Sequence, residues 1–183
     1  MIIKIAEKTI SENYPVFIVA ELSANHLQDF NLAVTTIKAM KEAGTDAVKL
    51  QTYTADTITI DCDNDYFKIK QGTIWDGKNF YSLYKEAYTP WEWQPKLKEI
   101  AEELGLICFS TPFDKTSADF LSEMNVSAYK VASFEITDIP LIEYIASKGK
   151  PVIMSTGIAT LSDIEEAVQA CKRMGNNQIA LLK

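Results

Sequence analysis

Short apolar runs recur along the chain, each ending in a polar cluster and followed by a stretch with helical spacing. The runs are Val16–Ala20, Ala47–Gln51, Leu106–Ser110, Ala128–Ala132, Pro151–Ser155 and Ile179–Leu182. Val16–Ala20 is apolar throughout, which predicts a strand buried on both faces. Between the runs, Ala33, Ile37 and Met40 form the stripe of a helix from about Asn31 to Ala43, with Gly44 as its C-cap. Thr89-Pro90-Trp91-Glu92 reads as a capping box with proline at the first helical position. That helix runs to Leu104 and stops at Gly105. Another helix is predicted over Ser117–Met124, and Asp138-Ile139-Pro140 opens the next, ahead of Gly149. Ser162 and Glu165 read as a second capping box before the stripe Ile164, Val168 and Cys171, with Gly175 as the stop. Ahead of the first strand, Ile2–Ile5 and Thr9–Ser11 bracket Ala6-Glu7-Lys8 like a small hairpin.

Strand and helix alternate, which predicts a parallel sheet with right-handed crossovers. Alternation alone does not separate a closed barrel from an open doubly wound sheet. No Gly-rich nucleotide fingerprint follows the first strand, which counts against the dinucleotide-binding version. A closed (β/α)8 TIM barrel takes eight units, about 250 residues. The chain is therefore expected to hold about six of eight β/α units, with residues 1–183 as the N-terminal part of a longer barrel domain. The rhythm breaks once. From Thr52 to Tyr88 the chain is rich in aromatic and acidic residues, among them Tyr66, Phe67, Trp75, Phe80 and Tyr84. So long a connection is either functional or carries small elements of its own. It follows a strand that bears a lysine, and is read as an excursion on the substrate side.

Two lysines stand out against this pattern. Strand faces alternate, so Ala128, Lys130 and Ala132 share one side, and so do Ala47, Lys49 and Gln51. Lysine is almost never fully buried unless paired. Alanine neighbours leave space beside each ammonium for an anion. The alternative is a lysine that snorkels out of a strand end. Two such strands point to one anion-binding centre fed from several strand ends, as in a barrel.

The totals narrow the partners. The net charge of −7 leaves no footprint for nucleic acid or an anionic membrane, so positive charge for an anionic ligand must be local. Cys62, Cys108 and Cys171 follow no metal or redox spacing, and Cys108 and Cys171 fall on core faces. This suits a reducing cytoplasm. Lys4, Glu7 and Lys8 argue against a signal peptide at the N-terminus. No apolar run approaches the roughly 20 residues of a membrane helix.

Five ordered motifs carry a family resemblance. They are Phe17 to His26 (FIVAELSANH), Ala47 to Thr52 (AVKLQT), Phe109 to Phe113 (FSTPF), Tyr129 to Glu135 (YKVASFE) and Met154 to Gly157 (MSTG). Together they resemble the sialic acid synthase family, which condenses phosphoenolpyruvate with an N-acetylated amino sugar. Tyr66 to Trp75 and Glu86 to Gln94 look like the pseudaminic acid synthase branch of that family.

The resemblance implies that Lys49, Thr111, Lys130, Ser133 and Ser155 hold phosphoenolpyruvate, that Glu21 and Gln51 face the sugar, and that Phe113 and Glu135 belong to the site. Lys49, Lys130, Glu21 and Glu135 are the candidate catalytic groups, the carboxylates as proton carriers or hydroxyl acceptors. It also implies a divalent metal, manganese or magnesium, a homodimer, and a small C-terminal antifreeze-like domain. The family's metal-binding histidines lie later in the barrel. The single histidine, His26, matches a strand-end motif and not a metal ligand, so no metal ligand is expected within these residues. Two other readings stay open: a barrel aldolase that uses Lys49 or Lys130 as a Schiff-base nucleophile, and a non-catalytic anion-binding module. An N-acetylneuraminate synthase is the alternative within the family. A further expectation is that a six-strand sheet left open associates through its apolar edges Val16–Ala20 and Ile179–Leu182.

Overall fold

The computed structural model describes residues 2–70, 72 and 75–183. An antiparallel hairpin comes first, β1 (Ile3–Ile5) paired with β2 (Lys8–Ile10). Six parallel strands follow: β3 (Val19–Glu21), β4 (Ala47–Thr52), β5 (Ile107–Pro112), β6 (Tyr129–Val131), β7 (Val152–Ser155) and β8 (Ile179–Leu182). They are hydrogen-bonded in chain order. The crossovers carry α1 (Phe30–Glu42), α2 (Ala55–Ile58), α3 (Phe80–Ala87), α4 (Gln94–Glu103), α5 (Lys115–Glu123), α6 (Ile139–Ala146) and α7 (Leu161–Arg173).

The sheet is curled. Strands β3 and β8 are its two edges, yet Glu21 and Leu182 line the same cavity as Phe109 and Lys130 from the middle strands. On the outer face, Val48, Leu50 and Cys108 pack against Ile37 of α1 and Leu97 of α4. The hairpin closes the N-terminal end of the sheet, because Ile3 and Ile5 are buried in one cluster with Ala47, Ile107, Val152 and Ile179. Asp46 fastens that end by accepting from the Ile18 amide at 2.9 Å and pairing with Lys8 at 2.8 Å. Among the described residues no helix is long and apolar enough to cross a membrane.

Three local expectations are corrected. The first run is not a strand from Val16 to Ala20 buried on both faces. Only Val19–Glu21 pairs, through Ala47–Lys49 of β4, and Val16 is 81% exposed. An edge strand has one neighbour, so residues ahead of the pairing have nothing to cover them. Thr89 does not cap a helix. Its hydroxyl meets the ring of His26 at 3.0 Å and the chain enters α4 through a 3-10 turn, Trp91–Trp93. The box before α7 lies two residues earlier than Ser162 and Glu165. Thr160 is the N-cap and Asp163 completes it, since Thr160 has the extended backbone a cap requires.

The stretch from Thr52 to Tyr88 holds two short helices, α2 and α3, and a 3-10 turn over Asp65–Phe67. Asn79 caps α3 by accepting from the Ser82 amide. Gln71, Thr73 and Ile74 of the Tyr66 to Trp75 motif lie outside the described residues.

Candidate active site

Register brings the lysine-bearing strands together. Glu21 stands opposite Lys49 across β3 and β4, and Lys49 opposite Phe109 across β4 and β5. Ser110 pairs with Tyr129, which sets Thr111 level with Lys130 on β6. Lys130 stands opposite Ile153 on β7. The inward face thus presents Glu21, Lys49 and Lys130 to one cavity of about 560 Å³. Both lysines are only 6% exposed, so neither snorkels to solvent.

The two ammonium groups are held differently. Lys49 Nζ lies 3.4 Å from Glu21 Oε1, and the Glu21 side chain is half-exposed. Lys130 Nζ donates to the Val131 carbonyl at 2.9 Å and to Ser155 Oγ at 2.5 Å, both neutral partners. Burial pushes the Lys130 ammonium down to about 8, helped by the positive charge of Lys49 and opposed by Glu21 and Glu135. Ser155, the last residue of β7, thereby joins the site through Lys130.

Two buried polar atoms near these lysines have no partner among the described residues, the Thr111 hydroxyl and Glu135 Oε2. Buried polar groups are nearly always satisfied, and an exception calls for a reason. Glu135 sits in the 3-10 turn Phe134–Thr137 that follows β6. Burial raises its carboxyl above the ordinary value, with Lys130 pulling the other way. Ser133 begins the same turn and is not used to cap it.

Phe113 and Gln51 are placed less directly. The Phe113 ring meets Tyr53 edge-on at 5.5 Å, and Tyr53 meets Tyr84 of α3 in the same way at 5.5 Å. Burial raises the Tyr84 phenol and the Glu135 charge adds to it. The Gln51 carbonyl accepts from Gln94 Nε2 at 3.2 Å.

Sequence reasoning missed what fixes the excursion. Gln94, the first residue of α4, accepts from Thr52 Oγ1 at 2.7 Å and also donates to the Thr89 carbonyl at 3.4 Å. Thr52 meets Ser110 Oγ at 2.7 Å. His26 completes the set. Its Nδ1 accepts from the Gln28 amide, so Nε2 carries the proton toward Thr89 Oγ1, whose hydroxyl donates to the Ser23 carbonyl. Burial lowers the His26 pKa and keeps the ring neutral.

His26 is thus committed to this structural network. Among the described residues no three His, Cys, Asp or Glu side chains gather where they could hold a metal ion.

Comparison with known proteins adds to this geometry. The NeuB family model matches residues 36–183. Pseudaminic acid synthase of Helicobacter pylori is 50% identical over 169 residues, covering 92% of this chain and 49% of that protein. Pseudaminic acid synthase of Campylobacter jejuni subsp. jejuni is 45% identical over 168 residues, with 92% and 49% covered. Among solved structures, N-acetylneuraminic acid synthetase from Leptospira borgpetersenii, in complex with citrate, superposes with a TM-score of 0.83 at 32% identity. It covers 99% of this chain and 58% of that one. The chain spans about half the length of the curated relatives it matches.

Proposed function

The chain belongs to the NeuB family, and on that premise we propose that it forms the phosphoenolpyruvate-binding part of a synthase of the pseudaminic acid type. The observation that carries this reading is the convergence of Lys49 and Lys130 on one cavity in a chain of net charge −7. Phosphoenolpyruvate brings two anionic groups, a phosphate and a carboxylate, and two compact ammonium charges suit them. The orphaned Thr111 hydroxyl, with Ser133 and Ser155, supplies neutral donors. Glu21 and Gln51 take the sugar side, and Phe113 borders it.

The reaction joins the enol carbon of phosphoenolpyruvate to the C1 aldehyde of a 2,4-diacetamido-trideoxyhexose. The aldehyde oxygen takes up a proton. Water adds at the carbon that bore the phosphate, and phosphate leaves by C–O cleavage to give the nine-carbon keto acid. Glu135, with its carboxyl raised by burial, is suited to carry a proton at the sugar oxygen. The same reading places residues 1–183 in a (β/α)8 barrel whose remaining units, antifreeze-like domain, manganese or magnesium site and dimer contacts lie outside them. It places the enzyme in the cytoplasm.

Calorimetric titration of the chain with phosphoenolpyruvate tests the reading. Saturable binding that is lost in Lys49→Ala/Lys130→Ala supports it, and equal binding by that double variant sinks it. One observation favours a second reading. A lysine at about 8 is also suited to Schiff-base chemistry. Borohydride trapping with pyruvate separates the two, because a stable adduct on Lys130 favours the aldolase.

A further inference from the structure

Gly157 is unlike every other glycine of the chain. The others all lie at φ between 72° and 88°, a region that favours glycine for its backbone freedom. Gly157 is not among them, so an alanine could adopt its backbone without strain. What it lacks is space. A Cβ built on Gly157 would stand 3.2 Å from Ser133 Oγ and 4.0 Å from Ser133 Cβ. The second distance is ordinary contact. The first is tighter than an ordinary contact, so the hydroxyl would have to give by a few tenths of an ångström.

The two residues lie in different crossovers, Ser133 two residues past the end of β6 and Gly157 two residues past the end of β7. They meet only because those strands are neighbours in the sheet. We infer that Gly157 is a positioning residue whose missing side chain leaves the Ser133 hydroxyl free to face the ligand. Ser133 does not use this hydroxyl to cap its own turn. Its direction is therefore set by what surrounds it, and on one side that is the Gly157 backbone. The inference rests on the proposed role of Ser133 as a phosphoenolpyruvate ligand.

A double-variant cycle tests it, with phosphoenolpyruvate affinity and thermal midpoint measured for wild type, Ser133→Ala, Gly157→Ala and Ser133→Ala/Gly157→Ala. Gly157→Ala should weaken binding by about tenfold, the value of one well-placed hydrogen bond to a charged ligand. Its thermal midpoint should stay at the wild-type value, which a merely structural role would lower. The double variant should bind no more weakly than Ser133→Ala, because without Oγ only the 4.0 Å contact remains. Weakened Ser133→Ala beside unchanged Gly157→Ala, or effects that add, would overturn the inference and leave the role of Ser133 standing. Unchanged binding in Ser133→Ala would remove Ser133 from the ligand site and the inference with it.

Discussion

Ser110 and Thr111 are neighbours on β5, each 1% exposed, and each carries a hydroxyl. Ser110 points outward and meets Thr52, which meets Gln94, which holds the Gln51 and Thr89 carbonyls. Thr111 points inward and meets nothing among the described residues. The same contrast runs along the whole strand set. The outer network is closed, with each member partnered by another. The inner face holds an orphaned hydroxyl, an orphaned carboxylate oxygen and a buried lysine with only neutral partners. A closed polar network stabilises a fold and fixes its geometry. An open one costs stability, and is retained where a ligand supplies the missing partners. The two faces should therefore separate under mutation, the outer affecting stability and the inner affecting ligand.

The largest effect is expected on the outer face. Gln94→Ala removes three hydrogen bonds, from the Thr52 hydroxyl and to the Gln51 and Thr89 carbonyls, which should cost about 3 kcal/mol at about 1 kcal/mol each. For a chain of this size that is a fall in thermal midpoint of roughly 6–12 °C. Phosphoenolpyruvate affinity, measured below that midpoint, should stay within about twofold of wild type. A tenfold loss of affinity at unchanged stability would erase the distinction between the faces.

Lys130→Ala is the inner counterpart. Loss of a charge-assisted contact worth about 1.5–3 kcal/mol should weaken phosphoenolpyruvate by about 10- to 150-fold. Lys49→Ala should weaken it less, because Lys49 already shares its charge with Glu21. Neither should lower stability much, since each removes a charge from a buried place. On the proposed function, steady-state kinetics of the complete synthase should show the Lys130→Ala effect in the phosphoenolpyruvate requirement far more than in the sugar requirement. Equal effects on both substrates would refute the assignment of Lys130.

These two predictions differ in how far the sequence anticipated them. The inward face was legible. Period-two alternation with alanine beside lysine put Lys49 and Lys130 on one side, and the strand–helix rhythm put both near strand ends. Edge effects were not legible, because the apolar run Val16–Ala20 carries no sign that only its last part finds a neighbour. Caps were legible only in part. Asp138 caps α6 as its position foretold, whereas Thr89 has an N-cap's chemistry but its hydroxyl accepts from His26 and donates to the Ser23 carbonyl instead. The outer network was hidden because its members are far apart in sequence. Nothing near Gln94 shows that Thr52 and Ser110 will converge on it. The excursion's aromatics pointed to a packed element, but not to the Phe113–Tyr53–Tyr84 contacts that carry it toward Glu135.

Thr111→Val sharpens the comparison at a single atom. The change removes the orphaned hydroxyl and keeps the shape. Stability should hold or rise by up to about 1 kcal/mol, since a buried unpaired group disappears. Phosphoenolpyruvate affinity should fall about fivefold, the value of one hydrogen bond. Ser110→Val should do the reverse, lowering the thermal midpoint with affinity unchanged. If Thr111→Val were the one to destabilise, its hydroxyl would have a structural partner and the inner face would be closed after all.

The smallest effect is the pH response, and its two halves have opposite signs. Lys130 titrates near 8 in the folded chain and at 10.5 ordinarily. Between those values the unfolded chain holds a proton that the folded chain has released. Stability of the free chain should therefore rise as pH increases from about 8 toward 10.5, as the cost of a buried ammonium is relieved. Below 8 that cost is present in full. On the proposed function phosphoenolpyruvate is held by the ammonium, so its affinity should fall as the proton leaves, about fourfold between pH 7 and 8.5. Other groups titrate in this range, so Lys130→Met is the reference. In that variant both the rise in stability and the fall in affinity should flatten. A wild-type chain whose affinity does not change from pH 7 to 8.5 would show that Lys130 keeps its proton there. The inner face would then differ from the outer one only by its unpartnered Thr111 and Glu135 oxygens.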